Sequence, residues 1–164
     1  MYRRVLVPLD GSALAERALS HAERVVAPGG VIVLLQVLQP ELVLPPLGAS
    51  DVTNVREAER LARELQELVG QARSAAEAYL AKARGRLRRA DVTIEGRVVE
   101  GQPVDRLVEA SQEVDLVVMS THGRTGLSHL LMGSVTERLI RHASAPVLVV
   151  RQLAGGDGQV EDAR

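Results

Sequence analysis

The sequence predicts an α/β domain: an open parallel sheet with helices on both faces. Two observations carry this reading. Short apolar runs rich in Val, Leu and Ile alternate along the chain with segments whose apolar residues recur at helical spacing. The runs Val31–Leu38 and Leu116–Met119 are apolar with almost no alternation, as strands buried on both faces are. A chain of 164 residues is long enough for one such domain to bury a core of its own.

Taken in order, Val5–Leu9 is a short strand that ends in Asp10-Gly11-Ser12. Leu14, Ala18, Ala22, Val25 and Val26 then recur at helical spacing. Pro28-Gly29-Gly30 stops that helix, and Val31–Leu38 returns as the second strand, completing a βαβ unit. Gln39–Ser50 contains Pro40, Pro45, Pro46 and Gly48 and reads as an irregular loop. From Asp51 to Ala90 the chain is rich in Ala, Leu, Glu and Arg, with Leu61, Leu65, Leu68, Ala72, Ala76, Leu80, Ala83 and Leu87 keeping one face apolar. One unbroken helix over that span would be about 60 Å long, so a bend or break is expected at Gly70 or Gly85.

Val92-Thr93-Ile94 and Arg97-Val98-Val99 suggest the third strand. Pro103 suits the first turn of a helix that continues through Val104, Leu107, Val108 and Ser111. Leu116–Met119 is the fourth strand, Ser134–His142 a helix and Pro146–Val150 the fifth strand. The expected domain is 1–151, with 39–90 as a loop plus a long helical insertion. The tail 152–164, which is rich in glycine and acid and poor in apolar residues, is expected to be mobile.

Composition narrows the function. Hydrophobic residues make up 46% of the chain and charged residues 25%, with a net charge of −1, so no global field favours a polyanion. Tyr2 and Tyr79 are the only aromatic residues, too few for base-stacking platforms, and nucleic acid is not an expected partner. The absence of cysteine removes disulfides, thiolate metal sites and Cys nucleophiles. Strand-like sequence begins directly after Met1-Tyr2-Arg3-Arg4, and no apolar run approaches the roughly 20 residues of a membrane span. A cytoplasmic location without a membrane partner is therefore expected.

In doubly wound parallel sheets, ligands bind beyond the carboxyl ends of the strands where strand order reverses. That directs attention to the segments after Leu9 and after Met119. The second runs Ser120-Thr121-His122-Gly123-Arg124-Thr125-Gly126 and reaches Gly133-Ser134-Val135-Thr136 at the start of a helix. Glycines allow backbone to approach oxygen atoms, a helix N-terminus offers free N–H groups, and hydroxyls add donors: an anion cradle in outline. The alternative is that the glycines serve turns and Ser134 caps the helix, and spacing alone leaves both open.

The string Ser120-x2-Gly123-x9-Gly133-Ser134 resembles the nucleotide-binding signature of the ATP-binding universal stress proteins, Gly-x2-Gly-x9-Gly-Ser/Thr, with serine in place of the first glycine. The opening Val-Leu-Val-Pro-Leu-Asp-Gly-Ser, the stretch Gly-Ser-Val-Thr-Glu-Arg-Leu-Ile and the ending Ala-Pro-Val-Leu-Val-Val are similar to that family too, so the resemblance spans residues 2 to 151. It implies a Rossmann-like sheet of the HUP type with strand order 3-2-1-4-5. It implies ATP as the ligand, alone or with Mg²⁺, and a homodimer joined through strand 146–150. Asp10 and Ser120 would flank the ribose. Val37 would offer backbone hydrogen bonds to adenine, with Pro8, Leu9 and Met119 nearby. Gly123, Arg124, Gly133, Ser134, Val135 and Thr136 would hold the phosphates.

Asp10 can equally serve as a turn-forming helix cap, and both roles are compatible. His122 lies in the signature without a paired carboxylate, and His21, His129 and His142 show no metal-ligand spacing. Lys82 is the single lysine, so a Gly-Lys-Ser/Thr phosphate loop is absent, as is Gly-x-Gly-x-x-Gly. With no recognisable base, acidic cluster or catalytic lysine, the expected role is a nucleotide-binding stress-response protein in which the ligand is a conformational or assembly signal. Two alternatives are an interaction module of the same fold without nucleotide, and a slow ATPase in which Asp10 positions a metal.

Overall fold

Val5, Leu6 and Val7 have no exposed surface, and the sheet is built around the strand that holds them. The computed structural model of the chain describes residues 1–39, 55–121 and 133–151. In chain order the elements are β1 (Tyr2–Pro8), α1 (Arg17–Val25), β2 (Val26–Leu38), α2 (Val55–Arg84), β3 (Thr93–Glu100), α3 (Pro103–Ser111), β4 (Leu116–Thr121), α4 (Ser134–His142) and β5 (Val147–Arg151). Every strand pair is parallel and the order is β3-β2-β1-β4-β5, as expected.

Alternate residues of the central strands feed two separate cores. On one face Val5, Val7, Ile32, Leu34, Leu116 and Val118 pack against Ala18, Leu19 and Ala22 of α1 and Leu80 and Ala83 of α2. On the other, Leu6, Val33, Leu35, Val117 and Met119 pack against Leu107 of α3 and Leu139 of α4. Side chains directed to both faces from the same strand explain why these strands read as unbroken apolar runs. Ser111 is buried between α3 and the α4–β5 connection. Its hydroxyl donates to the Val108 carbonyl at 2.6 Å and accepts the Ser144 N–H at 2.9 Å.

Several boundaries differ from expectation: β1 is Tyr2–Pro8 where Val5–Leu9 was expected, and β4 runs on past Met119 to Thr121. The second strand starts at Val26, not Val31, because Tyr2 pairs with Val26 before the register shifts and resumes at Arg4–Val31. Gly30 sits at this irregularity, where an added Cβ would stand 2.8 Å from the Arg3 carbonyl oxygen, closer than a side chain tolerates. The fifth strand is shifted by one residue, to Val147–Arg151. A larger difference lies in α2, which runs through Gly70 without interruption for 30 residues, about 45 Å, and stops just before Gly85. Gly70 is exposed and costs only about 1 kcal/mol relative to alanine, too little to break a long helix. Among the described side chains of α2, Ala76, Leu80 and Ala83 are the buried ones, and all lie in its second half.

Nearly all of the loop 39–50 and the whole tail 152–164 lie outside the described residues. No helix among the described residues is long and apolar enough to cross a membrane.

Candidate functional site

The carboxyl end of the sheet opens between β1 and β4. Their pairing is confined to Val5–Leu116 and Leu6–Val117, whereas β1 stays paired with β2 to Pro8–Leu35 and β4 with β5 to Thr121–Arg151. The two strands part where the chain direction of the crossovers reverses. α1 packs on one face of the sheet, α3 and α4 on the other. A crevice at this position follows from topology.

Leu9 continues the ladder by one bond, donating its N–H to the Leu35 carbonyl at 2.8 Å. That bond fixes which side of β2 faces β1. Backbone groups of alternate residues point the same way in a strand, so Val37 turns its N–H and C=O toward the same side, where β1 has ended. Val37 can therefore offer one donor and one acceptor to a planar ligand edge.

Beyond Leu9 the chain turns sharply. Asp10 accepts the Ser12 N–H at 2.9 Å through Oδ1, and Gly11 takes φ 87°, a conformation that strains any residue with a Cβ. The Ser12 hydroxyl in turn accepts the Ala15 N–H at 3.1 Å, and a series of turn hydrogen bonds leads into α1. Asp10 thus forms the turn its type suggests but does not cap a helix: the N-cap of α1 is Glu16, and it has no side-chain cap bond. Its side chain is exposed at the mouth of the crevice, and Oδ2 has no partner among the described residues.

Across the crevice, β4 ends with Met119 buried in the α3/α4 core, Ser120 half-buried and Thr121 buried. Ser120 Oγ is enclosed yet has no hydrogen-bond partner. α4 opens at Gly133 with no side-chain cap; its first internal bond is from the Glu137 N–H to the Gly133 carbonyl at 3.0 Å. The N–H groups of Ser134, Val135 and Thr136 are left without partners inside the helix, as the first turn of any helix leaves them. Gly133 has φ −55° and ψ 146°, angles open to any residue, and a Cβ there would meet nothing within 4 Å. Neither backbone strain nor packing against described residues requires glycine at this position.

The structure therefore brings Pro8, Leu9, Asp10, Val37, Met119, Ser120 and Gly133 through Thr136 to the carboxyl end of the sheet. Gly123 and Arg124, together with His122, lie outside the described residues. A separate cavity of about 350 Å³ beside α3 has a floor of Leu6, Val33, Leu35 and Val99 and is lined by none of the motif residues. Its guanidiniums are already engaged, Arg97 with Glu113 at 2.8 Å and Arg106 with Glu109 at 2.7 Å, so it offers little to a charged ligand. No cluster of three or more His, Asp or Glu suited to a metal occurs among the described residues.

Sequence reasoning missed two polar groups near the crevice, Gln36 and Tyr79. Gln36 Oε1 and Tyr79 OH are enclosed without hydrogen-bond partners. Burial pushes the Tyr79 phenol above its ordinary pKa, the Asp10 charge adds to the rise, and the Gly11 N–H opposes both. The one available signal was an aromatic residue with a polar tip on the apolar stripe of α2.

The fold and the crevice define a doubly wound α/β domain with the Asp10-Gly11-Ser12 turn and the N-terminus of α4 at its switch point. The chain belongs to the universal stress protein family, whose sequence profile matches residues 1–151. It is 32% identical over 158 residues to universal stress protein MJ0531 of Methanocaldococcus jannaschii, covering 93% of this chain and 84% of that one. Universal stress protein MJ0577 of the same organism is 28% identical, with 93% and 96% covered. The solved structure of MJ0577 superposes with a TM-score of 0.71 at 27% identity, over 94% of this chain and 99% of that one. A universal stress protein solved in complex with cAMP is 30% identical, with a TM-score of 0.58 over 91% of this chain and 97% of its own.

Proposed function

We propose that this chain binds an adenine nucleotide, ATP foremost, at the crevice between β1 and β4, and that the bound nucleotide acts as a conformational or assembly signal. The observation that carries the reading is the parting of β1 from β4 after Leu6–Val117. It leaves the Val37 backbone, the Asp10 carboxylate, Ser120 and the N-terminus of α4 around one opening. Each group suits a different part of one ligand. Val37 offers the donor–acceptor pair that an adenine edge requires, with Pro8, Leu9 and Met119 as apolar neighbours. Asp10 and Ser120 suit ribose hydroxyls. Gly133, Ser134, Val135 and Thr136 suit phosphates, because unpaired N–H groups and the positive end of the helix dipole favour an anion. Gly123 and Arg124 complete the phosphate site in this reading, Arg124 as its cation, and Mg²⁺ would accompany the phosphates.

The space beside Gly133 supports the same reading, since glycine there is required neither by φ nor by described neighbours. So does the cAMP complex of a 30% identical relative, whose ligand carries the same adenine and ribose. Binding stabilises the folded state by an amount set by ligand concentration over Kd, about 2.7 kcal/mol at 100 times Kd. We also propose that the active form is a homodimer joined through β5. That strand lies at the sheet edge with Leu148 exposed. Denaturing the purified protein and identifying the released small molecule by mass spectrometry, followed by calorimetric titration with ATP, ADP, AMP and cAMP, tests the ligand. A chain that releases no nucleotide and binds none of the four at millimolar concentration refutes it.

A further inference from the structure

The arginines gathered around β3 end on carboxylates: Arg4 and Arg97 on Glu95, Arg73 on Glu100 and Arg106 on Glu109. One corner of the molecule departs from this pattern. Helices α1 and α2 both end at the amino end of the sheet, and the connection from α2 to β3 begins Lys82-Ala83-Arg84-Gly85-Arg86-Leu87-Arg88-Arg89. It is seated on the end of α1. The Glu23 carboxylate accepts the N–H groups of Arg88 at 2.6 Å and Arg89 at 3.1 Å, and the Arg89 guanidinium donates to the Glu23 and Val26 carbonyls, both at 3.0 Å. Arg24, exposed and next to Glu23 in the chain, stands at the same corner.

Two of these cations are matched, Arg86 by Glu16 and Arg89 by Asp91. Arg24, Lys82, Arg84 and Arg88 are exposed, and their side chains have no partner among the described residues. Basic residues at helix ends complement the helix dipole, which explains part of this cluster. Each helix end carries about half a negative charge, so α1 and α2 offset about one of these free cations, and the Glu23 carboxylate offsets another. The corner stays positive in a chain whose net charge is −1, and a local field acts on a nearby polyanion whatever the total charge.

Clusters of about four to eight Lys and Arg hold acidic lipid headgroups. The corner offers nothing that reads bases: Tyr2 and Tyr79, the chain's only aromatic residues, pack in the α1/α2 core. Both helices present their C-terminal ends here, not a helix that could enter a groove. A bilayer is flat and asks only for charge. We propose that this corner is a second interaction surface, on which the protein rests reversibly against an anionic phospholipid bilayer through Arg24, Lys82, Arg84 and Arg88. Attachment of this kind needs no helix that crosses the membrane, and none occurs among the described residues. It also leaves the crevice free, because the corner lies at the opposite end of the strands. Net charge and apolar runs, which argued against a membrane partner, do not register a local cluster.

Vesicles of phosphatidylcholine alone and of phosphatidylcholine mixed with phosphatidylserine, sedimented with the full chain, test the surface. The wild type should pellet with the mixed vesicles only, and be released as salt rises. Arg24→Gln, Lys82→Gln, Arg84→Gln and Arg88→Gln should each lower the bound-to-free ratio by about fivefold, the effect of one charge near such a surface, and the quadruple variant should not pellet. These side chains hold no described neighbour in place, so the melting temperatures should stay at the wild-type value. Arg60→Gln, which removes one charge from the other half of α2, should pellet as the wild type does. No pelleting with the mixed vesicles at low salt, pelleting retained by the quadruple variant, or an equal loss from Arg60→Gln would overturn the proposal. Binding to a DNA duplex that outlasts vesicle binding as salt rises would overturn it too, and would assign the corner to nucleic acid.

Discussion

The guanidinium of Arg4 on β1 meets the carboxylate of Glu95 on β3 at 2.8 Å, reaching over the whole width of β2. Arg97 approaches the same carboxylate at 3.1 Å. Burial alone would push the Glu95 carboxyl up, but the hydrogen bond and charge of Arg4, helped by Arg97, outweigh it and leave the pKa below the ordinary value. A carboxylate with a depressed pKa contributes stability above its unfolded pKa, about 4.3, and loses that contribution as pH falls through the lower folded value. The melting temperature of the wild type should therefore drop from about pH 5 downward, and Glu95→Gln should flatten part of the drop. An identical pH profile for the two proteins would show that this pair does not contribute.

Gly133→Val should separate folding from binding. The backbone angles suit valine and an added Cβ meets no described neighbour, so the melting temperature should move by only a few degrees, equivalent to about 1 kcal/mol. ATP affinity should fall below detection, because the branched side chain occupies space assigned to phosphate. A folded variant that binds ATP as the wild type does would remove α4 from the proposed site.

Leu148→Glu should yield a monomer. Leu148 is exposed on β5 while Val147, Val149 and Val150 are half-buried, an apolar edge that a carboxylate would make unattractive to a second copy. Light scattering at micromolar concentration reads the mass directly. A wild type that is already monomeric there would exclude the β5 dimer.

Helix α2 should open from its first half. No side chain described between Arg56 and Gly70 is fully buried, and among the described residues Arg60 is held only by Glu64 at 3.3 Å, an exposed pair of little value. Trypsin should cut after Arg56, Arg60 and Arg63 well before Arg73, which is tied to β3 through the Val98 carbonyl and Glu100. Equal cleavage rates at all four arginines would mean that the helix opens as one unit.

Local signals were read well and remote ones poorly. The range Ser134–His142 was legible because Gly133-Ser134 announces a helix start and Ala145-Pro146 prevents its continuation. The early start of β2 was not, since Val26 becomes part of a strand only through its pairing with Tyr2. At Gly70 the expectation failed because helix-breaking tendency was weighed against domain size, whereas the helix extends past the buried part of the sheet. Spacing alone does not identify the ion pairs of α2: Glu59 and Arg63 stand four residues apart, yet Arg63 donates to the Glu59 carbonyl, whereas Arg60 pairs with Glu64. At the site, strand ends and glycines were visible in the chain. The orphaned state of Tyr79 and Gln36 was not, because lacking a partner is a property of neighbours distant in sequence.

The two outer strands of the sheet have opposite chemistry. β3 carries Glu95, Arg97 and Glu100, engaged with Arg4, Glu113 and Arg73, whereas β5 is apolar until Arg151. Charge along an outer strand discourages added strands. Two copies that meet at β5 turn their β3 strands outward, so the joined sheet ends on charged rims at both sides. In the proposed β5 dimer, growth by strand addition would then stop at two chains, and the apolar rim could not propagate into a fibre.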